Sequence, residues 1–293
     1  MRLPRYLLVP GIAALMAGTL TLTATAAAPA GASHVASQAQ FVSAASTALA
    51  RYLRHYRPQL MLAGHLHVRA NAPLAADSFN WSGYADGSKT TKAGTFTRVS
   101  GSWTMPSVTC HAEDQLTSEW VGLDGFNSAS FEQLGTLAWC FRGAPIYFAW
   151  WEMSSTAKGL VRVGTGLKPG DKISASVTRS GSAYTLKLTD ATHTASSFTT
   201  KQTCPVTTCP ATSAEWIVER PAFGIGIAPL VHYSAFKLTN GKQTSGGKAG
   251  TIGSFATVNE ITMLDGTQSY DLNVVSALTS TNSSFTTTWL NSY

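Results

Sequence analysis

The segment Ala214-Glu215-Trp216-Ile217-Val218-Glu219 sets carboxylates among large apolar residues. A second segment, Phe131-Glu132-Gln133-Leu134-Gly135, follows the block Ser118-Glu119-Trp120-Val121-Gly122-Leu123-Asp124-Gly125 and offers a carboxamide. Both stand out in a chain of which 12% of residues are charged. If Ala214–Glu219 is a strand, Glu215, Ile217 and Glu219 share one face and Trp216 and Val218 the other. Burying a carboxylate among apolar side chains is costly, so Glu215 is expected at a cleft or an edge. An ionised glutamate can take a proton from water and return it to a leaving amine. Gln133 is no base at any working pH, but its amide can orient a water and hydrogen-bond an oxyanion. One such donor is worth roughly 3–4 kcal/mol of barrier. A carboxylate base with a pKa near ~4 works in a mildly acidic medium.

Other chemistries lack their motifs. No G-x-S-x-G occurs, so a nucleophile-elbow serine hydrolase is unsupported. No H-E-x-x-H occurs, and no Asp-Thr-Gly or Asp-Ser-Gly. Beyond the first 76 residues the histidines are His111, His193 and His232, scattered and pointing to no triad. Gly241–Lys248, GKQTSGGK, misses the phosphate-loop pattern and reads as a flexible loop. No cofactor and no metal ligand set is expected.

The elements that must position Glu215 and Gln133 are strands. From Phe79 onward the chain is rich in Ser, Thr and Gly, and short alternating runs are separated by turn residues. TFTRVSGSW, SEWVGLDG, IYFAWWEM, KISASVTR, AYTLKLTD, AEWIVE, LVHYSAFKL and SYDLNVVSAL all read as strands. KPGD at 168–171, RSGS at 179–182 and TNGK at 239–242 read as turns. The expected fold is all-β, an antiparallel β-sandwich of two packed sheets, over residues 77–293.

The N-terminal part differs. Arg2 and Arg5, an apolar run from Tyr6 to about Leu22, and the small residues Ala24–Ala28 read as a signal peptide over 1–32. The protein is therefore expected to be secreted and extracellular, with no membrane partner once the signal is removed. Residues 37–57 carry Phe41, Ala45, Ala48, Leu49, Tyr52, Leu53 and Tyr56 at helical spacing until Pro58. They predict a helical prosegment, 33–76, cut between about Arg69 and Phe79. Residues 1–76 hold six arginines and no Asp or Glu, leaving fifteen basic and fifteen acidic residues in the remainder. The net charge of +6 thus belongs to the leader, and nucleic acid is not an expected partner. Cys110, Cys140, Cys204 and Cys209 allow three disulfide pairings, of which Cys204–Cys209 with Cys110–Cys140 is favoured. A zinc site is the rival, but paired C-x-x-C spacing is missing.

These segments resemble the glutamic peptidases, or eqolisins, over most of residues 79–290. The resemblance rests on Asn80-Trp81-Ser82-Gly83-Tyr84, the WVGLDG block, the Gln133 segment, Ala149-Trp150-Trp151-Glu152 and AEWIVE, in that order. It implies Gln133 and Glu215 as the catalytic pair, with Trp81, Trp120, Asp124 and Glu152 around the cleft. It also implies protein or peptide substrates and a removed prosegment; a monomer is expected. Two departures stand out. Gln133-Leu134-Gly135 replaces the common Gln-Thr-Gly, with Glu132 just before it, so a slip of one residue would turn a carboxylate into the cleft. Arg220-Pro221 follows AEWIVE where some members carry an acid.

The alternative is a glycan-binding or glycan-cleaving sandwich, with Trp103, Trp120, Trp150 and Trp151 stacking on sugars and Glu152 with Glu215 as a carboxylate pair about 5–10 Å apart. A non-catalytic adhesin, its aromatics simply in the core, is a third reading. The leader also carries a regulatory expectation. At neutral pH Arg51, Arg54, Arg57 and Arg69 could pair with Glu215, Glu152 and Asp124. In acid the carboxylates protonate and His34, His55, His65 and His67 gain charge, loosening the segment.

Overall fold

The structure is a computed structural model; it describes residues 67–68, 75–156, 159–164, 166–223 and 226–292. The segment 37–57, read as helical, lies outside the described residues. Two sheets dominate. The larger has nine strands, in the order His67–Val68, Ala75–Ser78, Val258–Met263, Trp81–Gly87, Ser213–Glu219, Leu116–Leu123, Glu132–Phe141, Ala144–Met153 and Val161–Val163. Every neighbour pair is antiparallel except Ala75–Ser78, which runs parallel to Val258–Met263. The smaller has eight strands, running Phe198–Thr203, Ala183–Asp190, Lys172–Ser180, Phe96–Thr104, Phe236–Ser245, Phe285–Trp289 and Asn273–Val275, with Lys248–Thr251 beside Phe236–Ser245. The only helical turns among the described residues are the short 3-10 pieces Thr194–Ser196 and Ile252–Ser254.

Side-chain alternation explains the packing. One face of the nine-stranded sheet sends Tyr84, Val121, Leu134, Ala214, Trp216 and Val218 toward Phe96, Val99, Trp103, Val177 and Leu238 of the other sheet, forming the main core. Its opposite face carries a second cluster that includes Trp81, Leu116, Trp120, Phe148, Trp150 and Ile217. Central strands buried on both faces read as near-continuous apolar runs, which is the character of SEWVGLDG and AEWIVE. Two disulfides, Cys110–Cys140 and Cys204–Cys209, match the favoured pairing and use all four cysteines.

Three local expectations change. TNGK is no turn: the strand Phe236–Ser245 continues through it, absorbing the change of register between Thr239 and Lys242 with Asn240 at φ 53°. GKQTSGGK is no flexible loop either. Gly246 and Gly247, at φ 55° and 77°, make a two-residue turn that pairs Ser245 with Lys248. LVHYSAFKL, read as one strand, breaks into His232–Tyr233 and the start of Phe236–Ser245.

Candidate active site

Glu215 and Gln133 come together through strand register. Glu215 is opposite Ala85 on one side and Gly122 on the other; Gly122 is opposite Gln133, and Gln133 is opposite Glu152. Directly opposed residues point to the same face, so Glu215, Gln133 and Glu152 form one row across the sheet. Two strand spacings, about 9.5 Å, separate the Glu215 and Gln133 backbones. The residue between them has no side chain. A Cβ on Gly122 would meet Gln133 Cβ and Trp120 Cζ3 at 3.0 Å each, so glycine is what lets the amide and the indole close on this position. The slip of one residue does not occur: Glu132 points the other way, into the core between the sheets. There it is buried beside the Cys204–Cys209 bridge.

Glu215 is 0% exposed, and neither of its oxygens completes a hydrogen bond. Burial pushes its carboxyl well above the ordinary glutamate value, and the carboxylates of Asp124 and Asp86 push it further. The Ser213 hydroxyl and the Phe126 N–H oppose the shift from nearby. Gln133 donates through Nε2 to Glu152 Oε2 at 3.4 Å, so Glu152 fixes which way the carboxamide faces. Both residues are buried.

The aromatic residues line the same face. Trp120 lies opposite Ile217 and Gly135, and Gly135 lies opposite Trp150. A Cβ on Gly135 would collide with the Glu119 carbonyl oxygen and meet Trp120 Cβ at 2.6 Å, so only glycine lets the two strands approach here. Trp81 meets Trp120 edge to face, with centroids 4.9 Å apart. Asp124 differs from these. Its oxygens accept from the N–H groups of Ala211 and Thr212, at 2.6 and 2.8 Å, and from the hydroxyls of Thr212 and Ser128, at 2.9 and 3.1 Å. It latches the 211–212 turn to the end of the Leu116–Leu123 strand, fixing the chain that leads into Glu215.

Two glutamates make contacts that periodicity alone did not reveal. Glu219, two residues along the face from Ile217, accepts Trp120 Nε1 at 2.8 Å and Asn80 Nδ2 at 3.2 Å. It anchors the indole and the NWSGY segment. Glu119 faces the core between the sheets, where the hydroxyls of Thr117 and Thr136 donate to it at 3.2 and 2.9 Å. Burial raises its pKa to about 7, against partial relief from those two hydroxyls.

Known structures share this architecture. Scytalido-glutamic peptidase, solved with a transition state analog inhibitor, matches with a TM-score of 0.58 and 22% identity, over 72% of this chain and 98% of that one. SCP-B, a member of the eqolisin family solved with the tripeptide Ala-Ile-His, matches with a TM-score of 0.55 and 22% identity, over 72% and 98%. Aspergilloglutamic peptidase from Aspergillus niger gives 0.51 and 24%, over 60% of this chain and 99% of that one. At such identities the likeness is one of fold. No curated protein matches the chain significantly. The profile of the Peptidase A4 family matches residues 79–289, the sandwich without its first two edge strands, and the chain therefore belongs to that family, the glutamic peptidases or eqolisins, and is a peptidase.

Proposed function

We propose that the chain is a secreted, acid-acting endopeptidase in which Glu215 is the general base and Gln133 holds the water and the oxyanion. One observation carries the reading: Glu215 and Gln133 flank the bare backbone of Gly122 in a single cross-strand row. A peptide carbonyl above Gly122 lies between them. Glu215 takes a proton from water as the water oxygen bonds to the carbonyl carbon. Gln133 hydrogen-bonds the resulting oxyanion. Protonated Glu215 then gives its proton to the amide nitrogen as the C–N bond breaks. Trp81, Trp120 and Glu152 border the cleft, and Asp124 sets the approach of the Glu215 strand.

The leader's six arginines and its lack of Asp or Glu support a latent precursor. Glu215 acts as a base only when ionised, and its burial raises the pH at which it loses its proton. Opening the face to water returns Glu215 toward an ordinary pKa of about 4.3, where it works in acid. We assign residues 1–32 to export, 33–76 to a prosegment and 77–293 to the catalytic domain. The glycan-cleaving alternative loses its footing. Gln133 stands between Glu152 and Glu215 in the row, and the chain is a peptidase.

The test is casein digestion at pH 3–4 by the processed enzyme. Glu215→Gln is expected to abolish cleavage, and Gln133→Ala to lower kcat about 10²–10³-fold, both with unchanged circular dichroism. Activity above a few per cent in folded Glu215→Gln removes Glu215 as the base.

A further inference from the structure

The hairpin of Lys172–Ser180 and Ala183–Asp190 gathers three groups that peptide hydrolysis does not use. Asp171 precedes the first strand and Asp190 ends the second, and the register sets Ile173 opposite Asp190. His193 stands at the head of the Thr194–Ser196 turn. One ligating atom each from Asp171, Asp190 and His193 lies within 4.8 Å of the other two. Both aspartates are buried, and the histidine is partly exposed.

Nearly every polar atom here has a partner. Asp171 Oδ2 accepts the Lys168 N–H at 2.8 Å, and Asp171 Oδ1 lies 2.6 Å from His193 Nδ1. Asp190 Oδ1 accepts the N–H groups of Thr192 and His193 at 2.8 and 2.9 Å. The neighbouring Lys172 ammonium is held by Thr104 Oγ1 at 2.8 Å. Two atoms are exceptions: Asp190 Oδ2, and in the adjoining turn Ser196 Oγ, are both buried and make no hydrogen bond. An orphaned buried acceptor is destabilising. Asp190 Oδ2 sits in a residue clustered with a second carboxylate and an imidazole, a set that a dication would satisfy.

We propose that Asp171 Oδ1, Asp190 Oδ2 and His193 Nδ1 bind a divalent first-row transition metal, with Zn²⁺ the best fit. Two carboxylate oxygens and one imidazole nitrogen suit zinc. Calcium and magnesium take oxygen ligands instead. The two carboxylates balance the charge of the ion. The backbone N–H groups on Asp190 Oδ1 and the Lys168 N–H on Asp171 Oδ2 hold both carboxylates in place, as outer partners of a metal site do. Tetrahedral zinc at its usual bond lengths sets its ligand atoms about 3.3 Å apart. The His193 ring must therefore withdraw by less than about 1 Å from its present contact with Asp171. Its side chain is 38% exposed and stands in a loop, so little packing opposes that movement. The fourth position, on the exposed side of His193, takes a water. The site belongs to the eight-stranded sheet, whereas Glu215 and Gln133 lie on the face of the nine-stranded sheet turned away from it. The metal thus braces the hairpin and its following loop and takes no part in peptide hydrolysis.

The test is isothermal titration of Zn²⁺ at pH 7 into the untagged full-length chain carrying Glu215→Gln, which prevents self-processing. The expected result is one tight equivalent, with Kd raised tenfold or more by Asp190→Asn and by His193→Ala. Asp190→Asn keeps the oxygen that holds the two backbone N–H groups. Should it nevertheless fail to fold, His193→Ala decides alone. The absence of a tight equivalent, or its retention in a folded form of either variant, overturns the proposal and leaves a simple carboxylate–imidazole brace.

Discussion

Glu119 makes the fold sensitive to pH in a calculable way. It is fully buried between the sheets with its carboxyl raised from 4.5 to about 7, mainly by desolvation. The groups facing it are neutral: Thr117, Thr136 and the phenols of Tyr147 and Tyr233. A folded pKa above the unfolded one favours folding below about 4.5. That advantage is withdrawn as the pH climbs toward and through 7. The interval corresponds to about 3 kcal/mol, a large share of the typical stability of a domain. Glu119→Gln removes the titration while keeping the shape. Trp103 Nε1 already donates to Thr136 Oγ1 at 3.1 Å, so Thr136 goes on donating to an amide oxygen, and the amide nitrogen donates to Thr117. The substitution is expected to cost at most about 1 kcal/mol at pH 4 and to gain about 2–3 kcal/mol over its parent at pH 8. Urea denaturation followed by tryptophan fluorescence measures this, in the Glu215→Gln background to stop self-cleavage. Glu132, also raised by burial, leaves some loss of stability in both proteins. Equal losses between pH 4 and 8 with and without Glu119 would refute the assignment.

Gly122→Ala should lower kcat sharply and destabilise by roughly 1–3 kcal/mol, because its methyl meets Gln133 and Trp120 at 3.0 Å; steady-state kinetics and thermal melts report both. Replacing Cys110 and Cys140 by Ala opens a loop of separation 30 and should cost about 3.5 kcal/mol, against about 2 kcal/mol for Cys204 and Cys209 at separation 5, as read by urea midpoints. The precursor is expected to shorten by itself at pH 3.5, and the Glu215→Gln precursor to stay intact on a gel. Equal shortening of the two would detach processing from Glu215.

The strand character of the central segments was legible because short runs of large apolar residues are bounded by turn residues. AEWIVE places Glu215, Ile217 and Glu219 on one face from its letters alone, and the ladder shows the same face. Gln133 was harder, since a single slip would have presented Glu132; only pairing with Gly122 across the ladder decides which side chain faces Glu215. The anchoring by Glu219 of Trp120 and the burial of Glu119 against Thr136 are contacts between distant parts of the chain, with no periodic trace. Asp171, Asp190 and His193 escaped for a similar reason, because the turn closing their hairpin, not their spacing, brings them together. TNGK misled because its asparagine and glycine serve a bulge as readily as a turn.

If the proposed prosegment is removed, the parallel strand Ala75–Ser78 makes the place of the cut a matter of colloidal behaviour. Ala75 and Ala76 pair with Glu260 and Ile261, while Asp77 and Ser78 pair with Thr262 and Met263. A cut before Ala75 keeps the whole strand as the sheet's border. A cut after Ala76 strips half of it and leaves the backbone beside Glu260 and Ile261 without its ladder partners. Bare strand borders recruit other extended chains, whether a second copy or a peptide. Two residues at the new N-terminus thereby separate a particle that stays dispersed from one whose flank invites self-association.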